Sequence, residues 1–494
     1  MSLRGLQELP VELLQHVISH FPNNNSNNRK TLRNLCLSSH KLRDLAQPFL
    51  FARFKPFMPN TQPDDERYLE SSHHQLVGFL RTIVQRPDLA LKVESLDLVL
   101  SYPAVNPHDV SGMQKVGCTM QDSTFSLDRK DEELFCDATP GSVKTIPEWQ
   151  TRIQQGAYRT LLLILLSHLP NLKAIALPVA FTYNRTDGPP DQIQHMEGEQ
   201  LRRLFPALQD IHITCQWSDG TLNIANFTEV LGLPTLRTFR ITDCIAYFET
   251  GTYTNPLRSP PNSWNVAHIF LKSCSMGAAC LVVFLNAFHC LKTFEYEAAP
   301  LDDFHEEPFK PGDVTPALQC QILSLERLSL DLAALAFDEF EDDGESLEFP
   351  SVYNHLTIGP MDSFCRLRHV RIDVDLLGGV RKLPRSLVTL ILTNWVQRSS
   401  GYLDQLLNLK DTFPQIRYVF VGGMLSFEDA LEWGRDHGGI VRQFLGASQL
   451  LVVPGLPYQL CLCSHRQYFH LFNEDDIEEV GSKSPFNSSI TDHY

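Results

Sequence analysis

Two clusters in this chain carry residue types that bind metals. Cys461-Leu462-Cys463-Ser464-His465, with His470 close behind, gathers two thiols and two imidazoles in a short stretch. Zinc takes such ligands tetrahedrally, most often from CxxC pairs. Here the cysteines are one residue apart and alternate with Leu460 and Leu462. That is the pattern of a buried strand, so they read as core thiols. The acidic run Glu339, Glu341, Asp342, Asp343 and Glu345 offers oxygen ligands for a hard cation. It lacks the spacing and closing glutamate of an EF-hand loop, and reads as a solvated loop. No GxSxG, HExxH or GxxxxGK[ST] occurs, so the motifs of acyl transfer, zinc proteolysis and phosphate cradling are missing. The expectation is a protein that is not an enzyme, with no metal and no cofactor.

A more informative set of residues recurs along the chain. From residue 93 an apolar residue is followed by others three and five positions later. The units are Val93/Leu96/Leu98, Leu172/Ile175/Leu177, Leu208/Ile211/Ile213, Leu236/Phe239/Ile241 and Val266/Ile269/Leu271. They continue as Leu291/Phe294/Tyr296, Leu325/Leu328/Leu330, Leu367/Val370/Ile372, Leu387/Leu390/Leu392 and Ile416/Val419/Val421. Proline phrases such as Leu169-Pro170-Asn171 and Phe413-Pro414-Gln415 introduce several of them. LxxLxL is the strand segment of a leucine-rich repeat. Apolar stretches at Arg152 to Ser167 and Ala278 to Phe288 supply helices between strands. Strand followed by helix, repeated, gives an α/β fold with a parallel sheet and outer helices.

In such a solenoid the residues flanking the buried positions line one concave face. Arg240, Lys272, Arg327 and Arg371 fall there in four different repeats, although the chain carries a net charge of −16. Exposed cations on an acidic background would steer an acidic or phosphorylated partner. These four are the candidate substrate-binding residues, and the partner is expected to be a protein. The bland alternative is that they are the solvated sides of strands.

The N-terminal segment reads as three short helices. Leu9, Leu13, Leu14, Val17, Ile18 and Phe21 recur at helical spacing, with Pro10 at the start and Glu12 in the first turn, where the helix dipole favours an anion. A polar loop from Asn23 to Asn28 separates a second helix with Leu32, Leu35 and Cys36 inward. Ser38 or Ser39 caps a third, predicted over His40 to Ala46 with Leu42 and Leu45 inward, and Pro48 is expected to end it. So wide an apolar set on so short a first helix needs cover on more than one side.

The order Leu9-Pro10-x-Glu12-Leu13-Leu14-x-x-Val17-Ile18, then Leu35-x-Leu37-x-Ser39-x-x-Leu42-Arg43-x-Leu45-Ala46-x-Pro48-x-Leu50-Phe51, resembles the F-box. Leu42 stands where many members have tryptophan. The resemblance implies a module that binds a Skp-type adaptor through Leu9, Pro10, Glu12, Leu13, Leu14, Val17, Leu35 and Leu42. With the repeats behind it, the chain resembles the leucine-rich-repeat class of F-box proteins of fungi, substrate receptors of SCF-type cullin–RING ubiquitin ligases. The alternatives are a non-ligase F-box scaffold, or a repeat-containing enzyme whose first helices cap the solenoid.

The domain reading is 1–54 for the F-box, 55–92 for linker helices and 93–423 for the repeats, with an inserted loop at 101–147. A C-terminal cap at 424–470 and an acidic, disordered tail at 471–494 complete it. Across 494 residues, 43% hydrophobic and 20% charged residues suit a soluble protein. The negative charge argues against nucleic acid or an anionic membrane as partner. The start lacks an apolar signal-peptide core, and twelve scattered cysteines read as reduced thiols. Cytoplasmic or nuclear residence is the expectation.

Overall fold

Apolar residues at helical spacing fold the N-terminal segment into α1 (Val11–Ser19), α2 (Ser26–Ser38) and α3 (His40–Phe51). The computed structural model describes residues 9–21, 26–56, 66–98, 127–144, 148–179, 198–215, 222–246, 260–299, 309–332, 357–377, 382–393, 409–422, 440–444, 448–453 and 459–463. The chain divides into two units, Met1–Ser275 with Ala287–His289, and Met276–Asn286 with Cys290–Tyr494.

In the first unit the core of the three helices is Ile18, Leu32 and Ala46, against which Phe21, Leu35, Cys36, Leu45, Phe49 and Leu50 pack. Ser39 caps α3 by accepting the Leu42 amide at 3.2 Å. The helix does not stop before Pro48 but runs through it to Phe51. Proline inside a helix forfeits one hydrogen bond. Phe49 and Leu50 pack on the core immediately beyond it, and that burial offsets the loss. Arg53 and Phe54 then form β1 rather than belonging to the helical module.

The remaining elements of this unit are α4 (Glu66–Gln85), α5 (Pro87–Ala90), β2 (Ser95–Asp97), α6 (Arg129–Ala138), α7 (Gly141–Lys144), α8 (Trp149–Gln154), α9 (Tyr158–Ser167) and β3 (Ala174–Val179). They are followed by α10 (Gly198–Leu204), β4 (Asp210–Cys215), β5 (Leu222–Asn223), α11 (Thr228–Leu231), β6 (Thr238–Ala246) and β7 (His268–Met276). The strands order as β1-β2-β3-β4-β6-β7, with β5 beside β6, and β1 to β4 and β6 pair in parallel.

The stretch 101–147, expected as a loop, contains α6 and α7. Its signal was Asp128, whose side chain accepts the Asp131 amide at 2.7 Å and caps α6. Phe135 of α6 is buried, and the helix packs on α4. There Arg81 grips Asp131 through two nitrogens. Arg152 to Ser167, expected as one helix, breaks at Gly156. Its φ of 62° ends α8 in a Schellman turn, with Gly156 N bonded to Ile153 O and Ala157 N to Arg152 O. Leu161 to Leu166 of α9 are all buried.

The second unit contains α12 (Ala278–Asn286), β8 (Thr293–Ala298), α13 (Pro311–Leu318), β9 (Arg327–Asp331), β10 (His369–Asp373), β11 (Thr389–Thr393), α14 (Leu409–Thr412), β12 (Tyr418–Gly422), β13 (Ile440–Phe444), β14 (Ser448–Val453) and β15 (Gln459–Cys463). β8 through β12 are parallel neighbours, and β15 joins β12 in parallel. β13 and β14 then turn antiparallel.

All three apolar positions of all ten sequence repeats are buried. Within each unit, neighbouring repeats are stitched by one carbonyl that accepts two consecutive amides. Ala52 O takes Glu94 and Ser95, Glu94 O takes Lys173 and Ala174, Lys173 O takes Gln209 and Asp210, and Gln209 O takes Arg237 and Thr238. In the second unit Lys292, Glu326, Arg368 and Val388 do the same. The proline phrases make the turns that enter the strands, as in Leu236 N to Leu233 O and Ile416 N to Phe413 O. Proline suits the second position of such a turn. The protein is therefore α/β, of a broad solenoid-like class.

Candidate functional sites

The first candidate is the surface of α1. Pro10 precedes the helix as its N-cap, with φ −52° and ψ 147°, and its carbonyl accepts the Leu14 amide at 3.1 Å. Leu14 and Ile18, four residues apart, share the inward face, at 1% and 2% exposure. Pro10, Leu13 and Val17, at i, i+3 and i+7, form a stripe on the outside. Leu13 is 52% exposed, Val17 40% and the flanking Val11 41%. Glu12 is exposed. Leu9 is half-buried, and its carbonyl accepts Lys41 Nζ at 3.1 Å.

The eight residues expected to meet an adaptor thus separate. Leu14 and Leu42 are spent on the protein's own core and have no surface to offer. Leu35 packs against that core and is half-buried. Pro10, Glu12, Leu13 and Val17 remain outward, with Leu9 at their edge. Helical periodicity could not separate the two sets, because Leu13 and Leu14 are adjacent and either could face in.

The second candidate is the face of the strands away from the buried rows, where the four basic residues were expected. In the first unit Arg240 is no bare cation. Its Nη1 donates to both oxygens of Asp210 on the neighbouring strand, at 2.7 and 2.6 Å, and its guanidinium lies 4.8 Å from the Phe270 ring. His212, in register with Arg240, stands within 3.4 Å of the hydroxyls of Thr242 and Thr214. Its pKa is lowered by burial first and by Arg240 second, against the opposing pull of Asp97 and Asp210. Further along, Lys55 Nζ meets Asp97 at 2.8 Å, with Arg53 at 3.8 Å from the same carboxylate. Lys272 is exposed.

In the second unit the register aligns Arg327 with His369 and Thr389, and Ser329 with Arg371 and Ile391. Arg371 Nη2 is 3.7 Å from Asp331, and both side chains are largely buried. Thr393, fully buried, donates to Asp373. Asp331, Asp373, Thr293 and Thr389 are buried as well. His369 has its pKa pushed down to about 4, by burial first and then by Arg327 and Arg368, with Glu326 opposing. Of the four basic residues expected there, Lys272 is exposed and Arg327 half-buried, while Arg240 and Arg371 are paired. Arg240 and Arg371 are matched by aspartates of the preceding strand, thirty or more residues away, and much of the second unit's face is buried.

Of the two metal-type clusters, Cys461 and Cys463 lie in β15, where Leu460 and Leu462 align with Val419 and Val421, and Cys461 with Phe420. Ser464 to His470 and the acidic run at 339–345 lie outside the described residues. Among the described residues no group of three or more His, Cys, Asp or Glu is placed to hold a metal. No described helix is long and apolar enough to cross a membrane. No family model matches the chain, and no curated protein matches it either.

Proposed function

We propose that the chain is a substrate-receptor subunit of an SCF-type cullin–RING ubiquitin ligase, resident in the cytoplasm or nucleus. Its first three helices act as an F-box that docks a Skp-type adaptor, and its strand–helix units act as irregular leucine-rich repeats that hold a target protein. The observation that carries this reading is the outward apolar stripe on α1. Leu13 and Val17 stay exposed beside a core that is already closed by Leu14 and Ile18. Large aliphatic side chains left at the surface in a stripe point to a docking surface. The F-box-like order of residues 9–51 supports a Skp-type adaptor as the partner. The chain contributes proximity rather than chemistry: it holds a target near a ubiquitin-loaded enzyme and turns a bimolecular encounter into a positioned one.

The test is co-expression of the full chain with a Skp-type adaptor, followed by size-exclusion chromatography and addition of cullin–RING components. The expected result is a co-eluting complex that ubiquitinates bound proteins. A folded chain that elutes alone overturns the reading. A stable adaptor complex that never recruits cullin would point instead to a non-ligase scaffold.

A further inference from the structure

A pair of buried cysteines in the first unit, on two of the strands that carry the second candidate face, is independent of the proposed function. Cys244 of β6 and Cys274 of β7 are buried, at 2% and 0% exposure, and their sulfurs are 2.9 Å apart. That is inside ordinary non-bonded contact, ~3.5–4.0 Å for carbon atoms, and approaches the ~2.05 Å of a disulfide. Register explains the meeting. Arg237 O accepts the amides of Ala267 and His268, which starts β6 and β7 side by side thirty residues apart, and Cys244 and Cys274 keep that separation.

Local backbone turns the sulfurs inward together. In β7 the alternation that buries Ile269 and Leu271 fails at Ser273, whose φ is 49°, and Cys274, Ser275 and Met276 are buried in succession. A non-glycine residue in the left-handed region marks a bulge that re-aims the next side chains. In β6 the phase also shifts, since Ile241 and Cys244, three residues apart, are both buried. Without both shifts one thiol would leave the interior. Cys274 is further held by a contact from its Sγ to Lys272 O at 3.2 Å.

We propose that Cys244 and Cys274 are an oxidant-sensitive pair that forms a reversible cross-strand disulfide on exposure to hydrogen peroxide. One thiolate attacks a peroxide oxygen. The S–O bond forms, the O–O bond breaks, and the departing hydroxide takes the thiol proton to leave as water. The second sulfur then attacks the sulfenic sulfur. The S–S bond forms, the S–O bond breaks, and a second water carries away the second proton. Two thiols are oxidised by two electrons while one peroxide becomes two waters. The second step is fast because its partner is already in contact. The first waits on local opening of the strands, since neither sulfur is exposed. The bond staples one repeat to the next, and a thiol reductant releases it.

The experiment treats purified full-length protein with hydrogen peroxide, alkylates remaining thiols after denaturation, and maps linkages by mass spectrometry. The exposed Cys290 and Cys365 report that the oxidant acted. The expected product is a peptide pair joined through Cys244 and Cys274. It forms more slowly than Cys290 and Cys365 oxidise, faster in urea below the unfolding midpoint, and is removed by dithiothreitol. The oxidised protein should melt at a higher temperature than the reduced one, and Cys244→Ser should abolish both the linked peptide and that rise. Thiols at 244 and 274 that remain alkylatable even in urea, or disulfides that join other cysteines instead, overturn the proposal. The mapping on wild-type protein decides the matter even if the serine variant folds poorly.

Discussion

The first helix and the repeat strands use apolar and charged residues in opposite ways. On α1, Leu13 and Val17 remain outside while Leu14 and Ile18 close the core. On the strands every repeated apolar position is buried, and the charges on the other face find partners within the chain, Arg240 with Asp210 and Arg371 with Asp331. The helix therefore keeps unused apolar surface, whereas the strand face has spent part of its charge internally. A partner that binds the helix gains by burial. One that binds the strand face through Arg240 or Arg371 must first compete with an aspartate that already occupies the cation. A partner docking on the strand face would therefore meet its shape and mixed polarity rather than a basic stripe.

The largest effect should come from damaging the strands where they are fully committed to the core. Leu390→Ala or Leu328→Ala should each destabilise the protein by ~2–5 kcal/mol, through lost burial and an unfilled cavity. Both leucines are buried, at 0% and 2% exposure. Chemical denaturation checks this, and Leu13→Ala serves as the control, because a half-exposed side chain should cost far less. A Leu13→Ala change as costly as Leu390→Ala would erase the distinction between the two regions.

A smaller effect should come from His369. Burial beside Arg327 and Arg368 lowers its pKa to about 4 in the folded protein, against ~6.5 in an unfolded chain. Between those values the unfolded state binds the extra proton and the folded state does not. Stability should therefore fall as the pH drops from ~6.5 towards 4, by at most ~2–3 kcal/mol. His369→Gln should make that part of the pH profile shallower, with His73, whose pKa burial also lowers to about 4, supplying part of the remaining slope. An unchanged slope in the variant would assign the acid sensitivity to other groups.

The smallest expected change is at Arg240. Its side chain is 40% exposed and that of Asp210 31%, so screening by water limits the pair, and Arg240→Ala should cost no more than ~1 kcal/mol. Asp210→Ala is the more revealing variant. It leaves the guanidinium available, and if the face binds acidic targets their capture should rise. No gain in capture would mean that the arginine serves the fold alone.

These contrasts also mark what the sequence could and could not disclose. The repeated apolar triplets were legible because burial of alternate strand positions leaves a fixed spacing, and all ten triplets proved to be core. Pro48 misled because local backbone preference was outweighed by Phe49 and Leu50 packing beyond it. Helix α6 was legible in principle from Asp128 and the acidic first turn after it, but the surrounding polar composition concealed it. The salt bridges of Arg240 and Arg371 were hidden for a different reason. Which carboxylate stands opposite which cation depends on strand register, and residues thirty or forty apart in sequence become neighbours only when the repeats are stacked. The inward turn of Leu14 was hidden in the same way, since its direction depends on packing among three helices, whereas Leu42 was read as inward and is buried.

If the first helices dock a Skp-type adaptor as proposed, the outer stripe of α1 is the docking surface while the inner stripe is core. Isothermal titration of the adaptor into the full chain, wild type against Leu13→Asp with Val17→Asp, tests it most directly, with circular dichroism to confirm that both proteins are folded. Burying an aliphatic side chain contributes ~1.5–3 kcal/mol, and ~1.4 kcal/mol is a factor of ten in affinity. The folded double variant should bind at least tenfold more weakly than wild type. Equal affinity of the two folded proteins would contradict the proposal.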